Sequence, residues 1–69
     1  MKKGDNIKVN YLVIGDEDKG IKIGMLFIDD IYSYKNTEYI EFVDEDNHQF
    51  SMNIKSVGDA LNSGAFKLM

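Results

Sequence analysis

Apolar and polar residues alternate along two neighbouring stretches in the middle of the chain. Thr37–Val43 is rich in aromatic and β-branched residues, and His48–Ile54 places every second residue on an apolar face. The polar segment Asp44–Asn47 lies between them. A period of two is typical of a strand with one face on a core, and turn-forming residues between two such runs predict a β-hairpin.

The register of this hairpin decides which side chains face the core. A loop of even length would place Glu41 opposite Phe50 on the core face, which is an unfavourable pair. A loop of odd length, Val43–Asn47, instead pairs Phe42 with His48 and matches apolar residues across the strands. We predict the odd loop, with Ile40, Phe42, Phe50 and Met52 facing the core and Tyr39 and Glu41 on the outer face.

The first half of the chain predicts two further strands and a loop. Asn6–Ile14 reads as the first strand, and Gly15–Gly20, with three acids in a row, reads as the loop. Ile21–Ile28 is the second strand, in which an internal glycine indicates a bulge or a bend. Asp29–Asp30 interrupts the apolar run, and we expect the strand to continue past a kink over Ile31–Tyr34.

The period changes after the hairpin and predicts a short helix. Ser56 and Asp59 have the spacing of a capping box, which makes Ser56 the predicted N-cap. Gly64 lies where a helix C-cap is expected. Ala65–Leu68 alternates again and predicts a short last strand. The apolar face of the helix consists of Val57, Ala60 and Leu61.

This order of elements is typical of a mainly-β domain. Five short antiparallel strands with one short helix before the last predict a strongly bent small barrel of the SH3-like or Sm-like kind. Closure of the sheet would remove its exposed edges. The alternative is an open sheet with the helix packed on one face. At 69 residues, we expect a single domain, residues 1–69, with one small core.

Composition excludes some classes of site. The chain has no cysteine and one histidine, so a disulfide framework and a Cys/His zinc site are both excluded. The whole net charge of −4 lies in residues 36–69, and no arginine is present. This balance disfavours a grip on nucleic-acid phosphates and favours a basic partner. The simpler alternative is that mild acidity keeps a small protein soluble.

No apolar run approaches the roughly 20 residues of a bilayer-spanning helix. The basic start is not followed by the apolar stretch of a signal peptide, because Lys8 and Asn10 interrupt Ile7–Ile14. We therefore expect a soluble, cytoplasmic protein.

Acid-rich turns are the candidate metal ligands: Asp16–Asp18, Asp29–Asp30, and Asp44–Asn47 with His48. Loop carboxylates suit calcium or magnesium. Counted from Asp44, however, the sixth and twelfth positions hold Gln49 and Lys55, where an EF-hand needs glycine and glutamate. Asp and Asn are also favoured in turns, because their side chains form hydrogen bonds to the nearby backbone. We interpret these segments as solvated turns, and we predict neither a metal nor a cofactor.

An enzymatic role finds little support in the sequence. His48 is a candidate general base by residue type, since free histidine titrates near neutrality, but no Gly-x-Ser-x-Gly motif or cysteine supplies an activated nucleophile. The segment Gly20–Gly24 lacks the spacing of a phosphate loop. We predict a non-enzymatic protein.

Three tyrosines, Tyr32, Tyr34 and Tyr39, lie near one another across the predicted turn at Lys35–Asn36. They are close to the acids of the second half of the chain. Tyrosine is enriched at protein interfaces, although cross-strand pairing that stabilises the sheet is an equal alternative. We predict a protein-binding module, such as an inhibitor or regulator of the phage or mobile-element type, with a basic target. If its carboxylates imitate DNA phosphates, the target is a nucleic-acid-binding protein. The predicted binding residues are Tyr32, Tyr34, Glu38, Tyr39, Glu41, Asp44, Glu45 and Asp46.

Two alternatives remain open from the sequence. The first is a small barrel that binds single-stranded nucleic acid, with bases stacked on the tyrosines and Lys22 and Lys35 on phosphates. Its Sm-like variant would form a ring-shaped homo-oligomer. The second is a structural subunit without a binding role of this kind.

Overall fold

The computed structural model describes residues 1–69 and shows one antiparallel sheet with one helix before the last strand. The mainly-β prediction is therefore confirmed. The five strands lie in the order β4-β3-β2-β1-β5, so β4 and β5 form free edges and the sheet does not close into the predicted barrel. The elements are β1 Asn6–Val9, a 3-10 turn Glu17–Lys19, β2 Gly24–Tyr34, β3 Thr37–Asp44, β4 Gln49–Asn53, α1 Ile54–Ser63 and β5 Phe66–Leu68.

The core lies on one side of the sheet, where α1 packs across it. Val57 anchors the helix and is fully buried. The four residues predicted to face the core on the central hairpin do so: three are buried, and Phe50 packs against them half-buried. The buried apolar cluster is Ile7, Val9, Ile21, Leu26, Ile28, Ile40, Phe42, Met52, Val57, Ala65 and Phe66.

The β2–β3 hairpin turns at Lys35–Asn36, as predicted, with left-handed φ angles of 49° and 64° at the two residues. This is the geometry of a turn that matches the twist of paired strands. The register shifts between Ile28 and Asp30, which makes Asp29 the extra residue of a β-bulge. The bulge keeps Ile28 and Ile31 on the core face although they are three positions apart, so the predicted kink is confirmed.

The loop of the β3–β4 hairpin has an odd number of residues, as predicted. The predicted pairing of Phe42 with His48, however, is wrong. Phe42 lies opposite Phe50, so the register differs by two residues. The carboxylate of Asp44 sets the turn, since its Oδ1 accepts the N–H groups of Asp46 and His48 at 2.9 Å each. The N–H of Asp44 donates to the His48 carbonyl at 3.0 Å. A shift of two preserves the faces, so the predicted core and outer residues stand.

The first strand ends at Val9, and its predicted extension to Ile14 is wrong. Asn10 bonds the segment after α1, through its N–H to Ala65 O at 2.7 Å and its side-chain amide to Gly64 O at 3.0 Å. The hydroxyl of Tyr11 donates to the Ser63 carbonyl at 2.7 Å. These bonds draw the chain across the end of the helix. Because Val9, the last residue of β1, lies opposite Gly24, residues 21–23 have no strand to pair with. The strand predicted there is absent, and β2 begins only at Gly24.

The N-cap of the helix lies three residues before the predicted one. Asn53, not Ser56, is the N-cap, and its side-chain oxygen accepts the Ser56 N–H at 2.8 Å. The predicted C-cap Gly64 is confirmed, with a left-handed φ of 84°. The helix has ten residues, and no helix of the chain combines the length and apolarity needed to cross a bilayer.

Candidate protein-binding face

The side of the sheet opposite α1 is open to solvent, and we call it the outer face. Strand alternation assigns its members, because each is next in sequence to a core-facing residue. The β2–β3 register aligns those of the two central strands into rows. On β2 and β3 the outer face comprises Met25, Phe27, Asp30, Tyr32, Tyr34, Tyr39, Glu41 and Val43, and on β1 and β5 it carries Lys8 and Lys67, which lie opposite each other.

Two tyrosines stack at the middle of the outer face. Tyr32 and Tyr39 occupy directly opposed positions, and their rings lie 5.6 Å apart between centroids at an interplanar angle of 19°. Tyr32 remains 37% exposed, and its hydroxyl donates to Ser51 Oγ at 3.2 Å. The stack thus presents a fixed aromatic surface that retains polar atoms at its rim, a combination favoured at interfaces.

A pair of acids lies beside the tyrosine stack. Asp30 and Glu41 lie opposite each other in the β2–β3 register. Each is two residues along its strand from the tyrosine on the same face, Tyr32 on β2 and Tyr39 on β3. Neither forms an ion pair with a lysine of the chain. Like charges directly opposite each other destabilise a sheet. The part of the outer face formed by β2 and β3 therefore carries uncompensated negative charge next to its aromatic surface.

An apolar row continues the outer face on the other side of the acids. Phe27 lies opposite Val43 and is 41% exposed, while Val43 and the neighbouring Met25 are half-buried. Clusters of apolar side chains rimmed by polar ones mark interaction surfaces. The tyrosine stack, the acid pair and the apolar row together form one surface on two paired strands.

Tyr34 lies at the hairpin end of the outer face. It is exposed, and the Lys35 ammonium lies 5.3 Å from its ring centroid. This is a cation–π contact within the chain. Glu38 is also exposed, but the register places it opposite Ser33 on the other side of the sheet from the tyrosine stack.

The acidic turn bonds to its own chain. Asp44 is buried, with 7% of its surface exposed, and its Oδ1 holds two turn amides. Chiefly because the His48 N–H donates to it, the pKa of Asp44 lies below its ordinary value of 3.8. Burial opposes this shift, while the Asp46 N–H and the charges of His48 and Lys22 add to it. Asp44 thus holds the turn together and is inaccessible to a partner.

The other two acids of the turn contact the start of β2 and the segment before it. Glu45 Oε1 accepts the Met25 N–H at 2.9 Å, and Asp46 Oδ2 lies 3.0 Å from Lys22 Nζ. The hydrogen bond to Asp46 and the charge of that residue raise the pKa of Lys22 above its ordinary value of 10.5. A depression of about 210 Å³ lies between the two segments. No group of three or more His, Asp or Glu side chains here or elsewhere has the geometry to hold a metal ion.

His48, the candidate general base, lies at the opposite end of the turn region. Its ring stacks on Phe50 with centroids 5.7 Å apart, and its Nδ1 lies 3.6 Å from Asp44 Oδ2. That carboxylate oxygen is buried and has no hydrogen-bond partner. The imidazole also covers the backbone of Gly20. These contacts describe a side chain that ties the 3-10 turn region to the hairpin.

The structure divides the predicted binding residues into separate groups. It brings Tyr32, Tyr39 and Glu41 together on the outer face, with Tyr34 at its end. The other predicted residues lie elsewhere: Glu38 on the opposite side, and Asp44, Glu45 and Asp46 in the internally bonded turn.

Sequence reasoning missed Asp30 and Phe27 as members of the outer face. The signal for Asp30 was available, since a two-residue turn at Lys35–Asn36 fixes its position opposite Glu41. Phe27 could not be assigned in the same way, because the bulge at Asp29 changes the register before it.

Comparison with known proteins adds no family to this description. No protein-family model, no curated protein sequence and no solved structure matches the chain.

Proposed function

We propose that this chain is a small, acidic, non-enzymatic protein-binding module that uses its outer face to bind a basic surface of a partner protein. The observation that carries the proposal is the uncompensated Asp30–Glu41 pair beside the Tyr32–Tyr39 stack. A lysine or arginine side chain from a partner would relieve the repulsion between the carboxylates and lie against a tyrosine ring.

The surroundings of this pair support the same role. Phe27 and Val43 offer apolar area next to it, which the centre of a protein interface needs. The residues belong to paired strands, so little conformational entropy is lost when a partner binds. A module of this kind would act as an inhibitor or regulator by covering a basic site, such as the DNA-contacting surface of a nucleic-acid-binding protein.

The contacts of Lys22 and Lys35, the two lysines that would hold phosphates, weigh against binding of single-stranded nucleic acid. Lys22 pairs with Asp46, and Lys35 lies over the ring of Tyr34. Tyr32 and Tyr39 stack on each other, so neither ring offers two free faces for bases. A backbone of phosphates would also approach the acid pair, which repels it.

Affinity capture with two matched baits tests the proposal. The wild-type chain and an Asp30→Lys/Glu41→Lys variant are immobilised, and a native-host lysate is passed over each. We expect the wild type to retain a basic protein that the variant loses. The control variant Glu17→Lys/Asp18→Lys makes the same change of charge in the exposed 3-10 turn, and it should retain the protein.

Equal capture by the wild type and the Asp30/Glu41 variant would contradict the role of the outer face. A parallel titration with labelled single-stranded oligonucleotides at low salt addresses the alternative function, because low salt maximises attraction to phosphate. We expect no binding there.

A further inference from the structure

The open sheet leaves β4 as an unpaired edge strand. Gln49–Asn53 pairs with β3 on one side only, and the order of the strands places nothing on its other side. The N–H and C=O groups of an unpaired edge are a template for another strand. Natural edges are commonly protected by proline, lysine, a bulge or a very short length. This strand has five residues and none of those residue types, and its pairing with β3 is regular.

The backbone bonds show which groups point away from the sheet. The N–H of Asp44 donates to the His48 carbonyl, so His48 directs its backbone groups toward β3. Direction alternates along a strand, which turns Phe50 and Met52 toward β3 as well. Gln49, Ser51 and Asn53 therefore direct their N–H groups to the free edge.

We propose that β4 pairs with β4 of a second copy of this chain, antiparallel and centred on Ser51. In this arrangement the two Ser51 residues exchange N–H···O=C bonds across a two-fold axis, and Gln49 lies opposite Asn53 of the second copy. The pairing extends each sheet into the other. It depends on the backbone of β4 and not on what the outer face binds.

Self-complementarity argues for a second copy as the occupant of this edge. The segment Gln49–Asn53 carries no charge, so an antiparallel copy meets no like-charged residue directly opposite. On the core side, half-buried Phe50 would lie opposite Met52 of the second copy. The exposed part of the Phe50 ring then becomes covered, and the two apolar cores become continuous.

The acids nearest the axis lie too far apart to oppose pairing. Glu41 neighbours Ser51, so the two Glu41 residues of a pair are three strand spacings apart. At about 4.8 Å per spacing this is roughly 14 Å, which exceeds the Debye length of about 8 Å at physiological salt. Their repulsion is therefore screened.

The other edge of the sheet is less suited to the same contact. β5 has only three residues, Phe66–Leu68, and carries Lys67. The N–H of Met69 donates to Asn6, so by alternation it is Leu68 whose N–H points to the free side. This edge provides an internal control within the same molecule.

The geometry also predicts how large and how strong the contact is. Pairing of two five-residue strands covers less than the roughly 1,000 Å² of a stable interface, so we expect association in the micromolar to millimolar range. Sedimentation equilibrium and light scattering of the full chain should show its mass doubling over that range. A mass of one chain at every concentration would overturn the proposal.

Amide hydrogen exchange, measured at low and high protein concentration, locates the contact. We expect slower exchange at high concentration for the amides of Gln49, Ser51 and Asn53, unchanged protection for Phe50 and Met52, and fast exchange at both concentrations for Leu68. A concentration effect at Leu68 instead of Ser51 would place the contact at β5 and overturn the assignment.

Substitution at Ser51 isolates the backbone group. Ser51→Pro removes the outward N–H, and proline is tolerated on an edge strand whose N–H faces solvent. We expect the mass of the variant to stay that of one chain at a concentration where the wild type is a dimer. Ser51→Ala keeps the N–H while removing the hydroxyl, so it should dimerise as the wild type does. Loss of the dimer in both variants would assign the contact to the side chain and contradict the proposed strand pairing.

Discussion

Asp30 and Glu41 stand directly opposite each other on β2 and β3, and no lysine of the chain forms an ion pair with either. A like-charged cross-strand pair costs stability, yet this one lies beside a stack of tyrosines on the open side of the sheet. A basic partner would convert that cost into an attraction. Stability and binding are therefore expected to change in opposite directions when one of the acids is neutralised.

Glu41→Gln should stabilise the chain by about 0.2–1 kcal/mol, because it removes the repulsion from Asp30. Urea denaturation at low salt measures the change, and added salt should reduce it. Glu38→Gln is the matched control, since Glu38 lies opposite Ser33 and gains nothing. Equal effects of the two variants would show that general charge, not the pair, is responsible.

Asn53→Ala should destabilise the chain by about 1 kcal/mol, because Asn53 caps α1 through its bond to the Ser56 N–H. Ser56→Ala should change the free energy of unfolding little. A larger loss of unfolding free energy for Ser56→Ala than for Asn53→Ala would show that Ser56 is the N-cap, as the sequence pattern predicts. Thermal or urea unfolding of the two variants decides between them.

The N-cap, Asn53, lies three residues before the predicted Ser56, and this difference shows what a sequence pattern cannot determine. Alternation identified the hairpin and its two faces, and helical spacing identified the helix before the last strand, because burial on one face imposes a period. The cap and the register depend on which polar side chain reaches a free N–H. Asn53 and Ser56 are both good caps by type, and only the position of β4 decides in favour of Asn53.

The predicted extension of the first strand and the predicted exposure of Asp44 were wrong for a related reason. Tyr11–Ile14 continues an apolar pattern, but bonds from Asn10 and Tyr11 to the end of α1 redirect the chain. Sequence alone does not reveal these long-range bonds. Likewise, Asp44 reads as one of three surface acids, and only the fold shows that it is buried in its own turn.

Asp44→Asn should lower stability at neutral pH, because the ionised carboxylate accepts the N–H groups of His48 and Asp46. Its pKa is depressed in the folded state, so its contribution is present above the ordinary value of 3.8 and is lost as pH falls through the lower folded value. The difference in urea midpoint between wild type and variant should therefore narrow below pH 3.8.

A matched control for Asp44→Asn is Asp18→Asn in the exposed 3-10 turn, where the side chain makes no hydrogen bond within the chain. Its urea midpoint at neutral pH should equal that of the wild type. If the Asp44 variant also matched the wild type from neutral pH to pH 3, the bonds from the turn amides would contribute no net stability.

Gly20→Ala should destabilise the chain more than Gly15→Ala. Both positions have a left-handed φ, 78° and 95°, which costs a residue with a Cβ about 1–2 kcal/mol. At Gly20 the added Cβ would also lie 2.5 Å from His48 Cε1, whereas at Gly15 it meets open space. The His48→Ala background should abolish the excess; an excess that persists there would place its origin in the backbone.

The role of the outer face is tested most directly by amide chemical-shift mapping of the labelled chain with the basic partner recovered by affinity capture. We expect the largest shifts at Asp30, Tyr32, Tyr39 and Glu41, and their loss in the Asp30→Lys/Glu41→Lys variant. Shifts confined to Asp44–Asp46, or to the groove of about 350 Å³ between α1 and the segment 13–19, would contradict the proposed binding face.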